Sequence, residues 1–229
     1  MQFERELARV LPQDLPHRDR LIERAAQHLS LIERANEYMN LTRITSPQEA
    51  AIKHVFDCVA PWRFFAEARR VLDAGTGAGF PGIPLAVTLP QVRFTLAESI
   101  GKKARFVDSV IEELELANVQ VAGERAEDVA LQQRVDLITA RAVAPIGKIL
   151  TFFEKPLRAG ARLLLYKGPD VEAELAEASK HRVHADVVWR YELPDRLGTR
   201  SLVQITASQT SANRVRRESL RTQAQASPR

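Results

Sequence analysis

The ten residues Asp73-Ala-Gly-Thr-Gly-Ala-Gly-Phe-Pro-Gly82 constrain this chain more than any other segment. They follow the apolar pair Val71-Leu72 and precede the apolar stretch that begins at Ile83, so they read as a strand-to-helix turn. A tight turn needs one glycine, whereas this one has four in eight residues, opened by an acid. Glycine lets the backbone turn sharply and lets a ligand approach where a Cβ would collide. The segment is therefore predicted to be a cofactor loop on the first strand of a mostly parallel sheet.

The rest of the chain agrees with that architecture. Residues up to about Arg69 read as helical: Leu21, Ile22, Ala25, Leu29 and Ile32 recur at helical spacing. Ser46-Pro47 opens a second helix carrying Ile52, Val55, Phe56 and Val59. Beyond Arg70, short apolar runs alternate with helical stretches. Strands are predicted near 71–72, 92–97, 119–122, 135–139, 161–166, 187–191 and 201–206, with Pro145 as the first residue of a helix. The expected fold is α/β: a Rossmann-like, seven-stranded, mostly parallel sheet (residues 70–207) ending in an antiparallel pair, behind a helical extension (1–69).

The glycine spacing selects among cofactors. A dinucleotide loop reads G-x-G-x-x-G, and its third glycine would fall at Phe80. Here the pattern is G-x-G-x-G after an acid, which resembles motif I of class I methyltransferases and so implies S-adenosylmethionine. Glu98 ends the second strand 23 residues after Gly75, where an acid accepts hydrogen bonds from ribose hydroxyls. Arg125-Ala-Glu-Asp128 follows the third strand, where adenine is held in this fold. A nicotinamide-dependent dehydrogenase is the alternative for the loop.

The end of the fourth strand, Thr139-Ala-Arg-Ala-Val-Ala-Pro145, limits the acceptor. It lacks the Asp/Asn-Pro-Pro-aromatic cluster of enzymes that methylate exocyclic amines. The single cysteine, Cys58, lies in the helical extension and reads as a small buried hydrophobe, so the nucleophile that C5 methylation of pyrimidines requires is missing. No clustered metal ligands are evident, the five histidines show no ligand spacing, and no metal is expected. Guanine N7 fits, because it carries a lone pair at neutral pH and needs no base to remove a proton. Accordingly no catalytic base is nominated. Arg141 cannot act as one; it is a candidate to bind the cofactor carboxylate, to position the substrate or to form a structural ion pair.

Charge is unevenly placed. Residues 1–207 are formally neutral, and the net +4 comes from five arginines against Glu218 in the tail 208–229, predicted to be disordered and a possible nucleic-acid contact. The start of the chain has no apolar signal segment, and no run approaches the ~20 residues that span a bilayer. A cytoplasmic monomer with no membrane partner is expected.

Taken in order, Asn40-Leu-Thr42, His54 and Asp57, Asp73 through Pro84, Glu98-Ser99 with Gly101-Lys-Lys103, Arg141-Ala142, Tyr166-Lys-Gly168 and Gly198-Thr-Arg200 closely resemble the bacterial 16S ribosomal RNA guanine-N7 methyltransferase family (RsmG, or GidB). The resemblance runs from about residue 20 to 207. It implies methyl transfer to N7 of guanine 527 of 16S ribosomal RNA, free or in the small-subunit particle. It also implies cofactor contacts at Gly75, Phe80, Ala126, Glu127 and Arg141, joined in the motif reading by Gly77 and Glu98. Ala78 stands where the family often has proline, and Glu98 where it often has aspartate; both keep the chemistry. Lys167 and Arg200 follow or begin strands near the acceptor pocket and are candidate substrate contacts, as Lys102, Lys103 and Arg105 are for phosphate. A cofactor-loaded RNA-binding or regulatory protein without catalysis remains the alternative function.

Overall fold

In the computed structural model, which describes residues 1–44 and 46–208, seven strands form one sheet in the order β3-β2-β1-β4-β5-β7-β6. β1 (Arg70–Ala74), β2 (Arg93–Ala97), β3 (Val119–Ala122), β4 (Leu137–Arg141) and β5 (Arg162–Lys167) are mutually parallel. β7 (Thr199–Ala207) runs antiparallel between β5 and β6 (Val183–Glu192). The predicted tail lies outside the described residues, apart from Ser208.

The central strands are buried on both faces, as parallel strands covered by helices must be. Alternation sorts their side chains into two cores. Val71, Phe94, Leu96 and Leu164 join the helices before β1, together with α5 (Gly82–Thr88) and α6 (Gly101–Glu113). Leu72, Ile138, Leu163 and Ile205 meet α7 (Ala126–Gln132), α8 (Ile146–Arg158) and α9 (Glu172–Ala178) on the other side. The strand order reverses between β1 and β4, since the chain proceeds from β1 towards β2 but β4 returns on the opposite side. Ligands of open α/β sheets bind in the crevice at the carboxyl ends of the strands at such a reversal.

Three helices and a short 3-10 turn (Trp62–Phe64) precede the sheet among the described residues. α1 (Gln2–Val10) packs on α2 (Arg18–Met39). The third helix starts at Ser46, whose Oγ accepts the Glu49 N–H, and runs through α3 (Pro47–Ala50), a π-helical segment (Ala51–Phe56) and α4 (Asp57–Val59). The wider π turn shifts the buried face: His54, Asp57 and Cys58 go inside with Ile52 and Val55, whereas Phe56 is only half-buried. Several boundaries also differ from expectation, most of all at β6, which begins at Val183 rather than near 187. β4 begins at Leu137 because Asp136 turns its carboxylate to the Arg69 and Arg70 N–H groups, fixing the strand entrance. Pro145 is extended and caps α8, which begins at Ile146.

Candidate active site

The glycine loop closes on Asp73. This buried carboxylate, one residue before the end of β1, accepts Thr76 Oγ1 at 2.6 Å and the Gly82 N–H at 2.9 Å through Oδ2. It thereby pins the loop to the start of α5. A Cβ on Gly82 would stand 2.1 Å from Leu96 Cδ2 and 2.8 Å from Asp73 Oδ2, so only glycine lets helix and sheet come this close. Burial pushes the Asp73 carboxyl up to about 6, with the Thr76 and Gly82 hydrogen bonds opposing that shift. Its Oδ1 has no partner among the described residues.

Gly75 and Gly77 have left-handed backbones, with φ of +70° and +63°. The N–H groups of Gly75 and Thr76 point to the Ala97 carbonyl of β2, and the Gly77 N–H donates to Glu98 Oε2 at 3.1 Å. The other oxygen of Glu98 accepts the Ile100 N–H at 2.8 Å. The acid is thus held at the end of β2 by two backbone donors, and each oxygen keeps a lone pair for a ligand hydroxyl. Ala97 pairs with Ala122, which sets the end of β3 beside Glu98; Ala126 and Glu127 follow as the first, half-buried residues of α7. Gly75, Gly77 and Glu98 are therefore brought together, with Ala126 and Glu127 at the adjoining strand end.

Phe80 points away from open space. Its ring stacks on His54 (centroids 4.8 Å apart) and lies against His28 (4.7 Å), both from the helices before β1. His28 Nε2–H donates to the carbonyl of Ala78 in the loop, and His54 Nε2 shares a hydrogen bond with Thr42 Oγ1. The Nδ1 atoms of both rings are buried without partners among the described residues. Burial lowers His28 to about 4 and His54 to about 3, so both are neutral at physiological pH; the Arg141 charge adds to the effect at His54. A third dinucleotide-type glycine would have to occupy this packed position, which accounts for the divergence from that pattern.

Across the crevice, Arg141 ends β4. Its Nη1 donates to the Lys53 carbonyl of the π segment at 2.7 Å and approaches Asp57 Oδ2 at 3.3 Å. Asp57 also takes the Tyr191 hydroxyl at 2.8 Å and Arg200 Nε at 3.4 Å, making this one buried carboxylate a junction of α4, β4, β6 and β7. Both bonds of Arg141 leave from Nη1, so its Nε and Nη2 edge makes no hydrogen bond among the described residues. Lys167, at the end of β5, donates to the Ala144 carbonyl at 2.9 Å and to Glu174 at 2.8 Å. Its ammonium is thus committed to holding the β4–α8 loop. In that loop Val143 is half-exposed, its Cγ2 3.0 Å from where a Gly75 Cβ would lie. Sequence reasoning singled out the loop and Glu98 but missed Asp57 as a junction and the two histidines as packing partners of Phe80. The only signal for these was the co-occurrence of His54 and Asp57. Among the described residues no three His, Cys, Asp or Glu side chains gather as a metal site.

These residues fit a nucleoside cofactor of the S-adenosylmethionine type: nothing lies within 4 Å of a Cβ on Gly77, leaving a cradle beside the anchored Glu98. Sheet order, loop and acid together define a class I S-adenosylmethionine-dependent methyltransferase. The same fold occurs in an O-methyltransferase from Bacillus cereus in complex with SAH (TM-score 0.54, 20% identity, 79% of this chain and 90% of that one). The model of the family "rRNA small subunit methyltransferase G" matches residues 21–195. The ribosomal RNA small subunit methyltransferase G of Solibacter usitatus is 59% identical over 209 residues, covering 90% of this chain and 100% of the relative. Its counterpart from Symbiobacterium thermophilum is 42% identical over 80% of this chain and 81% of the relative. The chain belongs to the rRNA small subunit methyltransferase G family.

Proposed function

We infer that the protein transfers the methyl group of S-adenosylmethionine to N7 of a guanine in small-subunit ribosomal RNA, guanine 527 of the 16S molecule by the family resemblance. The observation that carries the choice of atom is the β4 end, Arg141 to Pro145. It offers no base, no thiol and no proline–aromatic clamp beside an intact cofactor loop. Such a site suits an acceptor that already holds its lone pair.

The cofactor supplies a methyl group on a positively charged sulfur. The chain's work is then binding and alignment, which accounts for a large share of the barrier when reacting atoms are held in line. Glu98 receives the ribose hydroxyls, Gly75 and Gly77 let the backbone approach, and Ala126 and Glu127 hold the adenine end. Arg141 turns its free guanidinium edge to an anionic group of cofactor or substrate. Arg200 contacts the RNA, and Lys167 acts by fixing the loop that carries Val143, an apolar wall against which a purine can pack. The active species is a cytoplasmic monomer.

Tritium transfer from labelled S-adenosylmethionine to small-subunit RNA, followed by reduction and aniline cleavage, tests this reading. N7 methylation labilises the glycosidic bond, so the RNA breaks at one guanine. A label found on an exocyclic amine, a pyrimidine carbon or a ribose refutes it.

A further inference from the structure

Four arginines frame a cleft of about 860 Å³ at the amino ends of β1, β2 and β3, the opposite end of the sheet from the glycine loop. Arg70 opens β1 and Arg93 opens β2; Arg134 lies in the turn before β4, and Arg20 reaches the cleft from α2. All four are exposed. Arg70 and Arg93 are direct register partners on neighbouring parallel strands, so two guanidiniums leave the same face about 4.8 Å apart at their backbones. Like charges placed this way repel and cost stability unless an anion joins them. No carboxylate among the described residues does so. Glu115, the one acid lining the cleft among the described residues, is paired with Arg24 at 3.4 Å.

Between the arginines the lining is amide rather than acid. Gln133 Oε1 accepts hydrogen bonds from both Thr95 Oγ1 and Gln120 Nε2 at 3.2 Å, which leaves the Gln133 amide hydrogens and the Gln120 oxygen for a ligand. The cations are spread over two strands, a turn and a helix instead of converging on one point, so a small anion would satisfy one or two and an extended polyanion all four. β3 is the edge strand of the sheet. A chain lying in the cleft can therefore pass around that edge to the far end, where Lys102 and Arg125 are exposed. Five strand residues at about 3.3 Å each set the two ends about 17 Å apart.

We propose that this cleft is a second RNA-docking surface, binding the phosphodiester backbone of the substrate ribosomal RNA away from the methylated base. The proposal rests on the ribosomal RNA reading above. Its test compares the full chain with an R70Q/R93Q/R134Q variant for binding to 16S ribosomal RNA between 50 and 200 mM salt. Three lost phosphate contacts flatten the slope of log affinity against log salt by about 2 to 3 units, while calorimetric affinity for S-adenosylmethionine stays the same. The R70K/R93K/R134K variant keeps the slope, because lysine neutralises phosphate as a point charge. If the wild type methylates the RNA and the glutamine variant binds it with unchanged slope, the cleft is not a docking surface. A lysine variant that loses the slope as fully as the glutamine variant also overturns the proposal, since charge would not be the cause. Wild-type protein that transfers no methyl group to the RNA overturns the functional reading, and the cleft's assignment falls with it.

Discussion

His28 and His54 make the fold acid-labile. Both rings flank Phe80 and are buried as neutral imidazoles, His28 at about 4 and His54 at about 3, against an ordinary value of 6.5. The unfolded chain takes up these protons below pH 6.5 while the folded chain resists. The stability they confer is thus complete above that pH and is lost as pH falls towards the folded values. By pH 4 each contributes a loss of about 3 kcal/mol. Asp73 works in the opposite sense: its carboxyl, raised from 3.8 to about 6, costs stability when ionised and returns about 2 kcal/mol over the same range. The net expectation is a protein about 4 kcal/mol less stable at pH 4 than at pH 7, a large fraction of a typical domain's stability. Urea midpoints of the wild type and of a His28→Gln/His54→Gln double variant at pH 7, 5.5 and 4 measure it. Exposed carboxylates such as Asp14 and Asp195, held low by Arg63 and Arg9, titrate alike in both proteins and cancel. The wild type should lose about 6 kcal/mol more than the variant over this range, on the order of 2 M urea at a slope near 3 kcal/mol/M. Parallel declines in the two proteins would refute the assignment, whatever their absolute stabilities.

Two further predictions concern the loop and the junction. Gly77→Ala meets open space at φ +63°, so it should cost about 1 kcal/mol of stability yet weaken S-adenosylmethionine binding at least tenfold. Gly82→Ala, which meets Leu96 and Asp73, should cost about 3 kcal/mol in the unliganded protein. Calorimetry and urea melts separate the two, and cofactor affinity unchanged in Gly77→Ala would show that the space beside it is not the cofactor's. Asp57→Ala strands the largely buried Arg141 and should destabilise by about 3–5 kcal/mol, with Asp57→Asn milder because it still accepts from Tyr191. A urea-derived change below about 1 kcal/mol for the alanine variant would show that the Lys53 carbonyl alone satisfies Arg141.

What could be read from the sequence follows from how far each signal reaches. The glycine loop and Glu98 were legible because their constraints are local: a strand, a sharp turn and a strand-end acid stand at fixed offsets. The layered α/β sheet was legible from short apolar runs alternating with helical stretches. Periodicity reports only that one side of a helix is buried, not what it meets. It therefore gave no indication that His28 and His54 would close on Phe80, or that Asp57 would meet residues 84, 134 and 143 positions away. The π segment compounds this, since one extra residue in the turn moves Phe56 off the inner face and brings Asp57 onto it. Lys167 was legible as a strand-end cation, but its commitment to Glu174 depends on where α9 packs.

The Asp57 junction also explains why the helices before β1 matter to a site built on the sheet. Charge-assisted hydrogen bonds between guanidinium and carboxylate are normally 2.7–2.9 Å long. Here Oδ2 of Asp57 lies 3.3 Å from Arg141 and 3.4 Å from Arg200, while its tighter bond, at 2.8 Å, goes to the uncharged Tyr191. One carboxylate therefore stands between two cations without saturating either, leaving a local excess of positive charge at the ends of β4 and β7. That excess sits beside the crevice proposed above for cofactor and RNA, both of which carry anionic groups. A tight Arg141–Asp57 pair would have neutralised the first cation, and a leucine at 57 would have left the largely buried Arg141 with no anionic partner at a cost of several kcal/mol. The π turn resolves the conflict: it turns the Lys53 carbonyl towards Arg141, so the guanidinium is held chiefly by a neutral acceptor at 2.7 Å and its charge is not cancelled by a close carboxylate.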